Sequence, residues 1–292
     1  MKELKKILIK VINKLGYTIS HNNIKVDPNL ELYIDNYDTY TFNFKRFYNI
    51  GAGGFSHPYW TNIDFYNEWY KDWYSNIGIH YDLMKFEKLP LEDNSAEIVY
   101  SSHTIEHIND TAIINMLKEA FRILKPGGCI RITAPDINLL YRAYKNKDKY
   151  FFLESIKFYS SESVTRKLDI NPMSDASLGA IFQYYFSAST SSLTKNCFKK
   201  KIYDDELEKI FSEMSYECAL DHICSFSEFD YEKTGFHINW ANADKVKKML
   251  LEVGFKTAYT SAFGQSNEAI LRDVNFFDNT VPEWSFYVEA YK

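Results

Sequence analysis

Cysteine is scarce in this chain of 292 residues, and its four cysteines are widely spaced. They stand at Cys129, Cys197, Cys218 and Cys224, and no Cys-x-x-Cys pair occurs. That spacing fits neither a zinc site nor a disulfide framework. It predicts reduced thiols in a cytoplasmic protein.

The sequence also lacks an excess of basic charge and a long apolar run. Its 34 Lys and Arg against 39 Asp and Glu give a formal net charge of -5, so no basic surface predicts binding to nucleic acid or to an anionic membrane. The apolar positions of the N-terminal stretch are interrupted by Lys10 and Lys14, and no cleavage site follows. No run approaches membrane-spanning length. We predict no nucleic-acid partner and no membrane span, and composition leaves the oligomeric state open.

Two phosphate-binding signatures are missing, although a glycine-rich turn is present. An apolar run stops at the glycines of 51–54, and a second short run ends at Asp64. The dinucleotide fingerprint fails because Ser56 holds its third glycine position, and no Gly-Lys-Ser or Gly-Lys-Thr follows for a P-loop. Glycine lets backbone approach a ligand, and a strand-end acid holds ribose hydroxyls. The turn therefore favours S-adenosylmethionine as cofactor, with an ordinary strand-to-loop turn as the alternative.

Strand-like and helix-like segments alternate from residue 46 to residue 134. The pattern predicts strands at 46–51, 79–83, 97–101 and 129–133, and a helix at 111–124. Such alternation is typical of an α/β fold, a parallel sheet with helices on its faces. Asp64, Asp82, His103 and Asp136 fall at predicted strand ends, where ligands bind in this architecture.

The remaining segments are arranged around this core. Residues 1–45 predict an N-terminal helix at 2–15 and a cap, and residues 46–136 and 243–292 predict the core. Residues 137–242 break the alternation and predict a helical insertion that forms a lid over the substrate. A helix at 243–253 precedes two final strands, at 256–263 and 284–290, that lack a helix between them, which predicts an antiparallel last strand.

Three segments carry a resemblance to a known family: NIGAGG at 49–54, LPLEDNSAEIVYSSHTIEHI at 89–108 and LKEAFRILKPGGCIRITAPD at 117–136. They resemble the class I S-adenosylmethionine-dependent methyltransferases with a methyltransferase-11-like domain. The resemblance implies a Rossmann-like, seven-stranded, mostly parallel sheet, and S-adenosylmethionine as methyl donor. GFHINWA, FGQSNEAILRD and WSFYVEAYK further resemble methyltransferases of bacterial surface-polysaccharide gene clusters, which act on sugars or their activated precursors.

The resemblance also implies the cofactor-binding residues. They are Asn49, Gly51, Ala52, Gly53, Asp64, Asp82, Leu83, Ser101, Ser102 and His103. Gly51 and Gly53 would flank the methionine part, and Asp64 would hold the ribose hydroxyls. Asp82 would lie near the adenine amino group, with Leu83 packed on the ring.

Methyl transfer to an alcohol needs a base, and histidine fits that task near neutral pH. We predict His237 as base or acceptor-binding group, and His103 as the second catalytic candidate. Packing of a loop and hydrogen bonding to backbone are their respective structural alternatives. Glu106 and His107 are interpreted as helix N-terminal residues that match the helix dipole.

A metal site is the weaker alternative at the segment His103, Glu106 and His107. A related group of small-RNA 2′-O-methyltransferases binds a divalent ion through an E-x-x-E-H segment and later histidines. Position 103 is histidine here, and no second Glu-His pair follows. We therefore predict no metal.

The acceptor is predicted to be a sugar or an activated sugar precursor, O-methylated in capsule or lipopolysaccharide synthesis. Candidate substrate residues are Asp136, Tyr141, Gln265, Ser266 and Arg272. The last three would clamp a phosphate or carboxylate. This leaves open methylation of a phosphoramidate or another phosphorylated capsule precursor. A protein of another class, a non-catalytic cofactor-binding partner or scaffold subunit, is the further alternative.

Overall fold

The computed structural model describes residues 17–20, 23–26, 28–68, 71, 78–152, 177–188, 198–232 and 234–292. The helix predicted at 2–15 lies outside these residues. The described chain begins with the hairpin of β1 (Tyr17–Ser20) and β2 (Asn23–Val26). Helices α1 (Pro28–Asn36) and α2 (Thr39–Asn43) lead from it to the core.

A seven-stranded sheet forms the centre of the fold, in the order β5-β4-β3-β6-β7-β9-β8. Its strands are β3 (Phe47–Ile50), β4 (Trp60–Asp64), β5 (Ile79–His80), β6 (Ala96–Ser102), β7 (Leu124–Pro135), β8 (Thr257–Thr260) and β9 (Ser285–Tyr291). Strands β3 to β7 pair in parallel, and β9 is antiparallel to both of its neighbours. The predicted α/β class, with a mostly parallel sheet and an antiparallel last strand, is confirmed.

The α-helices that follow β6 belong to two groups. Around the sheet lie α3 (Asp110–Ile123) and, near the C-terminus, α8 (Ala243–Val253). Between them, the described part of residues 137–242 contains α4 (Ile137–Lys145), α5 (Leu178–Tyr184), α6 (Asp204–Glu213) and α7 (Tyr216–Cys224). These four helices pack around a hydrophobic cluster of their own, which the core residue Trp284 joins. The predicted helical insertion is present, and its role as a lid stays a prediction.

Helix α3 shows how local sequence sets an element. Asn109 caps it by accepting the Ala112 N–H at 2.9 Å. Its apolar residues recur every three or four positions, so Ile113, Leu117 and their neighbours are buried against one face of the sheet. The helix ends at Ile123, where the chain enters β7 directly. The turn between β6 and α3, residues 103–108, thus lies at the carboxyl end of β6.

The opposite face of the sheet is covered by aromatic residues. Tyr33 of α1 packs with Phe47, Trp60, Tyr100 and Phe277 in one buried cluster. Alternation of side chains along β3 explains the division, because Phe47 points to this cluster and Tyr48 to the other face. Both faces of the sheet are therefore closed, and its strand ends are where a site can form.

A buried ion cluster fixes the loop before β9 on this second face. Arg131 is fully buried in β7 and donates through Nε to Asp278 at 2.9 Å and through Nη1 to Glu289 at 2.7 Å. Its guanidinium also lies 5.2 Å from the centroid of the Tyr287 ring. Because one cation meets two carboxylates in a dry interior, all three charges depend on this pairing.

Candidate active site

The glycine turn after β3 is packed tightly against the connection that follows β6. Gly51 and Gly53 have φ of 70° and 52°, a backbone region that favours glycine. A Cβ on Gly51 would lie 2.1 Å from Oγ1 of Thr104, whereas a Cβ on Gly53 would meet no atom within 4 Å. Gly51 thus allows close packing, and Gly53 leaves space open beside the backbone.

Asp64, the last residue of β4, closes the same turn. Its Oδ2 accepts the Gly53 N–H at 2.6 Å, and its Oδ1 accepts the Phe65 N–H at 2.7 Å. Burial raises the pKa of the Asp64 carboxyl, and the two N–H groups oppose that rise. Each carboxylate oxygen keeps a second lone pair, which can accept a ligand hydroxyl.

Asp82 presents an unpaired acceptor beyond the end of β5. Its Oδ1 accepts the Met84 N–H at 2.9 Å and caps the 3₁₀ helix Leu83–Lys85. Its Oδ2 is buried and accepts no hydrogen bond from the described residues, although the Lys85 ammonium lies 4.0 Å away. Burial and then the nearby Asp82 raise the pKa of the Tyr231 hydroxyl. A buried acceptor of this kind fits a ligand N–H donor.

The glycine turn, Asp64 and Asp82 lie around one cavity of about 230 Å³. Its lining residues are Ile50, Gly51, Gly53, Gly54, Ile63, Asp64, Phe65, Tyr81, Asp82, Leu83, Met84, His103, Thr104, His107, Ile108, Phe229 and Thr234. Of the predicted cofactor residues, Asn49, Ala52, Ser101 and Ser102 do not line it. Asn49 lies in β3 between Tyr48 and Ile50, whose side chains point to the face of the sheet that α3 covers. Because side chains alternate along a strand, the Asn49 side chain points to the opposite face, away from the cavity.

His103 is held from both sides at the rim of this cavity. It has φ of 51°, and its Nε2 lies 2.8 Å from the Ser285 hydroxyl. Its Nδ1 lies 3.1 Å from Oε1 of Glu106, and its ring meets Trp284 edge to face. Both ring nitrogens are therefore engaged by protein groups.

Glu106 lies behind His103, only 1% exposed. Its Oε1 lies 3.1 Å from Nδ1 of His103, whereas its Oε2 has no hydrogen-bond partner among the described residues. Burial by itself would raise its pKa, but His103, then His107 and His237, lower the pKa of Glu106 to about 2. The carboxylate is thus ionised while its Oε2 lacks a donor, which is costly for a buried charge.

The structure corrects the interpretation of Glu106 and His107 as helix N-terminal residues. They lie in the separate 3₁₀ turn Ile105–His107, and the cap of α3 is Asn109. The reason is that the Asn109 side chain reaches the Ala112 N–H, so α3 begins after the turn. Glu106 and His107 are consequently free for another task.

His237 comes from the end of the insertion and meets His107. The ring centroids lie 4.7 Å apart at an interplanar angle of 74°. His237 donates Nδ1–H to the Tyr185 carbonyl at 2.6 Å, and His107 donates Nδ1–H to the Phe236 carbonyl at 3.0 Å. Because carbonyls only accept, these bonds fix both tautomers and leave each Nε2 as an acceptor. Burial, and then His107, lower the pKa of His237 to about 3, so its ring is neutral.

Backbone hydrogen bonds hold the insertion against this turn. The N–H groups of Ile238 and Asn239 both donate to the Glu106 carbonyl, at 2.8 and 3.2 Å. The Asn239 side chain donates to the Ile108 carbonyl at 3.0 Å and to Asp110 at 2.8 Å. His237 does not line the cavity itself, but it contacts His107, which does.

The five predicted substrate residues lie away from this cavity. Asp136 caps α4 through the Asn138 N–H at 3.0 Å, and Tyr141 packs on aromatic rings of the insertion. Gln265, Ser266 and Arg272 line a separate depression, where Arg272 donates to the Ser266 carbonyl at 2.6 Å. Their roles in substrate binding stay predictions.

Residues 57–132, about a quarter of the chain, match the family model described as a methyltransferase domain. This segment begins after the glycine turn and runs through β4, β5, β6 and α3 into β7. Residues 57–132 of this chain are therefore similar to methyltransferase domains. The predicted resemblance to S-adenosylmethionine-dependent methyltransferases is confirmed for these residues, and the narrower resemblance to enzymes of polysaccharide gene clusters stays a prediction.

Two curated relatives are similar to parts of this chain. A dimethylglycine N-methyltransferase of Parasynechococcus marenigrum is 46% identical over 50 residues, 17% of either chain. A ubiquinone/menaquinone biosynthesis C-methyltransferase of Desulfotalea psychrophila is 32% identical over 71 residues, 23% of this chain and 28% of the relative. The chain thus spans less than a third of the length of either relative.

Among solved structures, a SAM-dependent methyltransferase from Archaeoglobus fulgidus is 12% identical, with 84% of this chain and 85% of that chain covered. Its TM-score is 0.39, too low to bear on function. No helix in the described ranges has both the length and the apolar character needed to cross a membrane.

Proposed function

We propose that this protein transfers a methyl group from S-adenosylmethionine to a hydroxyl oxygen of a small, sugar-derived acceptor. The observation that supports this function is that several of the predicted cofactor residues and two of the histidines line the same cavity. The cavity lined by Gly53, Asp64 and Asp82 extends to His103 and His107 at the carboxyl end of β6. A nucleoside cradle and a proton-accepting cluster therefore share one space.

The residues of the cavity fit the methyl donor. Free lone pairs on Asp64 suit two ribose hydroxyls, and the unpaired Oδ2 of Asp82 suits an adenine amino group. Leu83 lines the same end of the cavity as Asp82, and Gly53 leaves space beside its backbone. When bound, S-adenosylmethionine supplies a methyl group already activated by a positively charged sulfur. The protein then needs only to position the acceptor, exclude water and accept a proton.

The acceptor proton would be removed at His107, the ring that lines the cavity, because the low pKa of the buried His237 makes that ring a weak base suited instead to binding the acceptor. His103 has both ring nitrogens engaged, by Ser285 and Glu106, which suits a role in positioning. His237 and His107 each keep Nε2 without a hydrogen-bond partner in the described residues. The predicted pair His103 and His237 is therefore extended by His107, which sequence reasoning assigned to a helix end.

A phosphorylated acceptor has less support than a neutral one. Arg272, the residue that would clamp a phosphate, donates instead to the carbonyls of Ser266 and Asn267 and does not line the cavity. The described lining residues include no arginine or lysine. This composition favours a sugar hydroxyl over a phosphoramidate or other phosphate group as the part of the acceptor that enters the cavity.

Turnover with a panel of acceptors tests the proposed function. The purified protein would be incubated with S-adenosylmethionine and with free sugars, nucleotide-linked sugars and sugar phosphates, and S-adenosylhomocysteine would be measured. We expect acceptor-dependent product that is lost in Asp64→Asn. Tight cofactor binding without turnover across the panel would instead favour a non-catalytic partner or scaffold.

A further inference from the structure

We infer that Glu106, His107 and His237 form a binding site for a divalent transition-metal cation beside the cofactor cavity. This departs from our prediction that the chain binds no metal. Among the described residues, these three each offer a ligand atom, and the three atoms lie within 4.8 Å of one another. The binding of a cation stands by itself, whereas the catalytic role given below rests on the proposed methyl transfer.

The two histidines are oriented as metal ligands are. Each donates Nδ1–H to a backbone carbonyl, of Phe236 for His107 and of Tyr185 for His237. Such a bond fixes the ring and leaves Nε2 with its lone pair available, which is the usual arrangement behind a ligating imidazole. Cation–nitrogen bonds of about 2.1 Å place ligands about 3 to 4 Å apart, so small side-chain rotations would close the site.

The third ligand explains an otherwise unfavourable carboxylate. Glu106 is 1% exposed, and its Oε1 lies 3.1 Å from Nδ1 of His103. Its Oε2 is buried and has no hydrogen-bond partner among the described residues. A bound divalent cation would satisfy that oxygen, and His103 would then orient the carboxylate from behind.

The ligand set favours a particular class of cation. Two imidazoles and one carboxylate suit Mn²⁺, Co²⁺ or Zn²⁺, whereas Mg²⁺ and Ca²⁺ prefer oxygen ligands. Three protein ligands leave at least one position open for a substrate atom. His107 is the link to that substrate, because it both belongs to this set and lines the cofactor cavity.

An open position on the cation gives the acceptor hydroxyl a place to bind. Coordination to a cation lowers the pKa of a bound O–H group, so with the cation bound His107 and His237 would act as ligands, and the proton would pass to solvent instead of to their Nε2 atoms. The acceptor oxygen then bonds to the methyl carbon while the methyl–sulfur bond breaks, and S-adenosylhomocysteine leaves. The substrate class is thus a hydroxyl compound whose oxygen ligates the cation.

Cobalt binding tests the site independently of turnover. The full-length protein would be stripped with EDTA and titrated with Co²⁺, followed by visible absorption and calorimetry. We expect one Co²⁺ per chain and a Co²⁺-dependent rise in Tm. Glu106→Gln, His107→Gln and His237→Gln should each weaken Co²⁺ binding by tenfold or more. His222→Gln, which changes a histidine at the end of α7, is the matched control and should bind like wild type.

Two results would overturn the site. One is wild-type protein that binds no Co²⁺, and the other is binding unchanged in Glu106→Gln and His237→Gln. The rise in Tm decides the matter in wild type even where a variant fails to fold. Full turnover in EDTA would remove the catalytic role and leave the methyl transfer standing. Conversely, Co²⁺ binding without S-adenosylhomocysteine from any acceptor would leave the site standing and overturn the proposed function.

Discussion

The rings of His107 and His237 face each other with centroids 4.7 Å apart, and they come from different parts of the fold. His107 lies in the turn after β6, and His237 lies near the end of the insertion, residues 137–242. The predicted cofactor residues Gly53, Asp64 and Asp82 lie at or just after the ends of sheet strands, whereas this contact joins the core to the insertion. Cofactor binding and acceptor chemistry should therefore respond to different mutations.

Asn239→Ala should separate these two properties. Asn239 is buried and donates to the Ile108 carbonyl and to Asp110, so its loss leaves a buried acceptor unpaired next to His237. We expect a fall of about 1 to 3 kcal/mol in the free energy of unfolding. Turnover should drop several-fold with affinity for S-adenosylhomocysteine within twofold of wild type, as measured by urea titration, initial rates and calorimetry.

The exposed Asn275 offers a matched control. Among the described residues its side chain donates only to Asp273, so Asn275→Ala should leave stability and turnover close to wild type. Loss of cofactor affinity in Asn239→Ala, with turnover at saturation unchanged, would contradict the division proposed between the two sides of the cavity.

Asp64→Asn should weaken cofactor binding while preserving the fold. The carboxylate accepts two backbone N–H groups and would accept the ribose hydroxyls, and an amide replaces one of its oxygens by a donor. Hydrogen bonds to a charged group contribute about 1.5 to 3 kcal/mol, so we expect affinity to fall about tenfold to a hundredfold. Calorimetry with S-adenosylhomocysteine measures this, with the exposed Asp93→Asn as control. Near-normal affinity would refute the ribose assignment.

The position of Asp64 and Asp82 at one edge of the sheet could be predicted from the sequence because its determinants are local. Asp64 and Asp82 follow strands, and parallel strands bring their carboxyl ends to one edge. Gly51 and Gly53 stand where a strand must turn at once. These features depend on a few neighbouring residues, so a pattern in the chain suffices to find them.

The acceptor side could not be predicted in the same way. Glu106 and His107 precede α3 in the chain, and their approach to His237 depends on how the insertion returns to the core. The spacing of residues along the chain does not predict where the insertion meets the core. The same holds for Arg131, which sits in a strand of alternating pattern but pairs with the distant Asp278 and Glu289. Long-range polar pairing is visible only in three dimensions.

Alanine at the two glycines of the turn should have different effects. Both residues have positive φ, which costs alanine about 1 to 2 kcal/mol. Gly51→Ala would add a clash with Thr104, so we expect a total loss of about 3 kcal/mol in the free energy of unfolding. Gly53→Ala adds no clash, but its Cβ would enter the cavity, so cofactor affinity should fall more than stability does. Urea unfolding and calorimetry on both variants test this, and equal stabilities would contradict it.

Asp278→Asn should destabilise the protein by leaving Arg131 partly unpaired in the interior. Arg131, Asp278 and Glu289 are each fully buried, and removal of one partner from a buried ion pair costs about 3 to 5 kcal/mol. The cofactor cavity lies at the ends of β3 to β6 and contains none of the three residues, so affinity for S-adenosylhomocysteine in the folded variant should stay near wild type. Urea unfolding measures the loss. Asp93→Asn is the matched control, since Asp93 pairs with Arg122 and its side chain is 62% exposed. Because water solvates the Asp93 carboxylate, the free energy of unfolding should change far less in this variant. If the two variants lost equal stability, burial of the Arg131 cluster would not be the source of its strength.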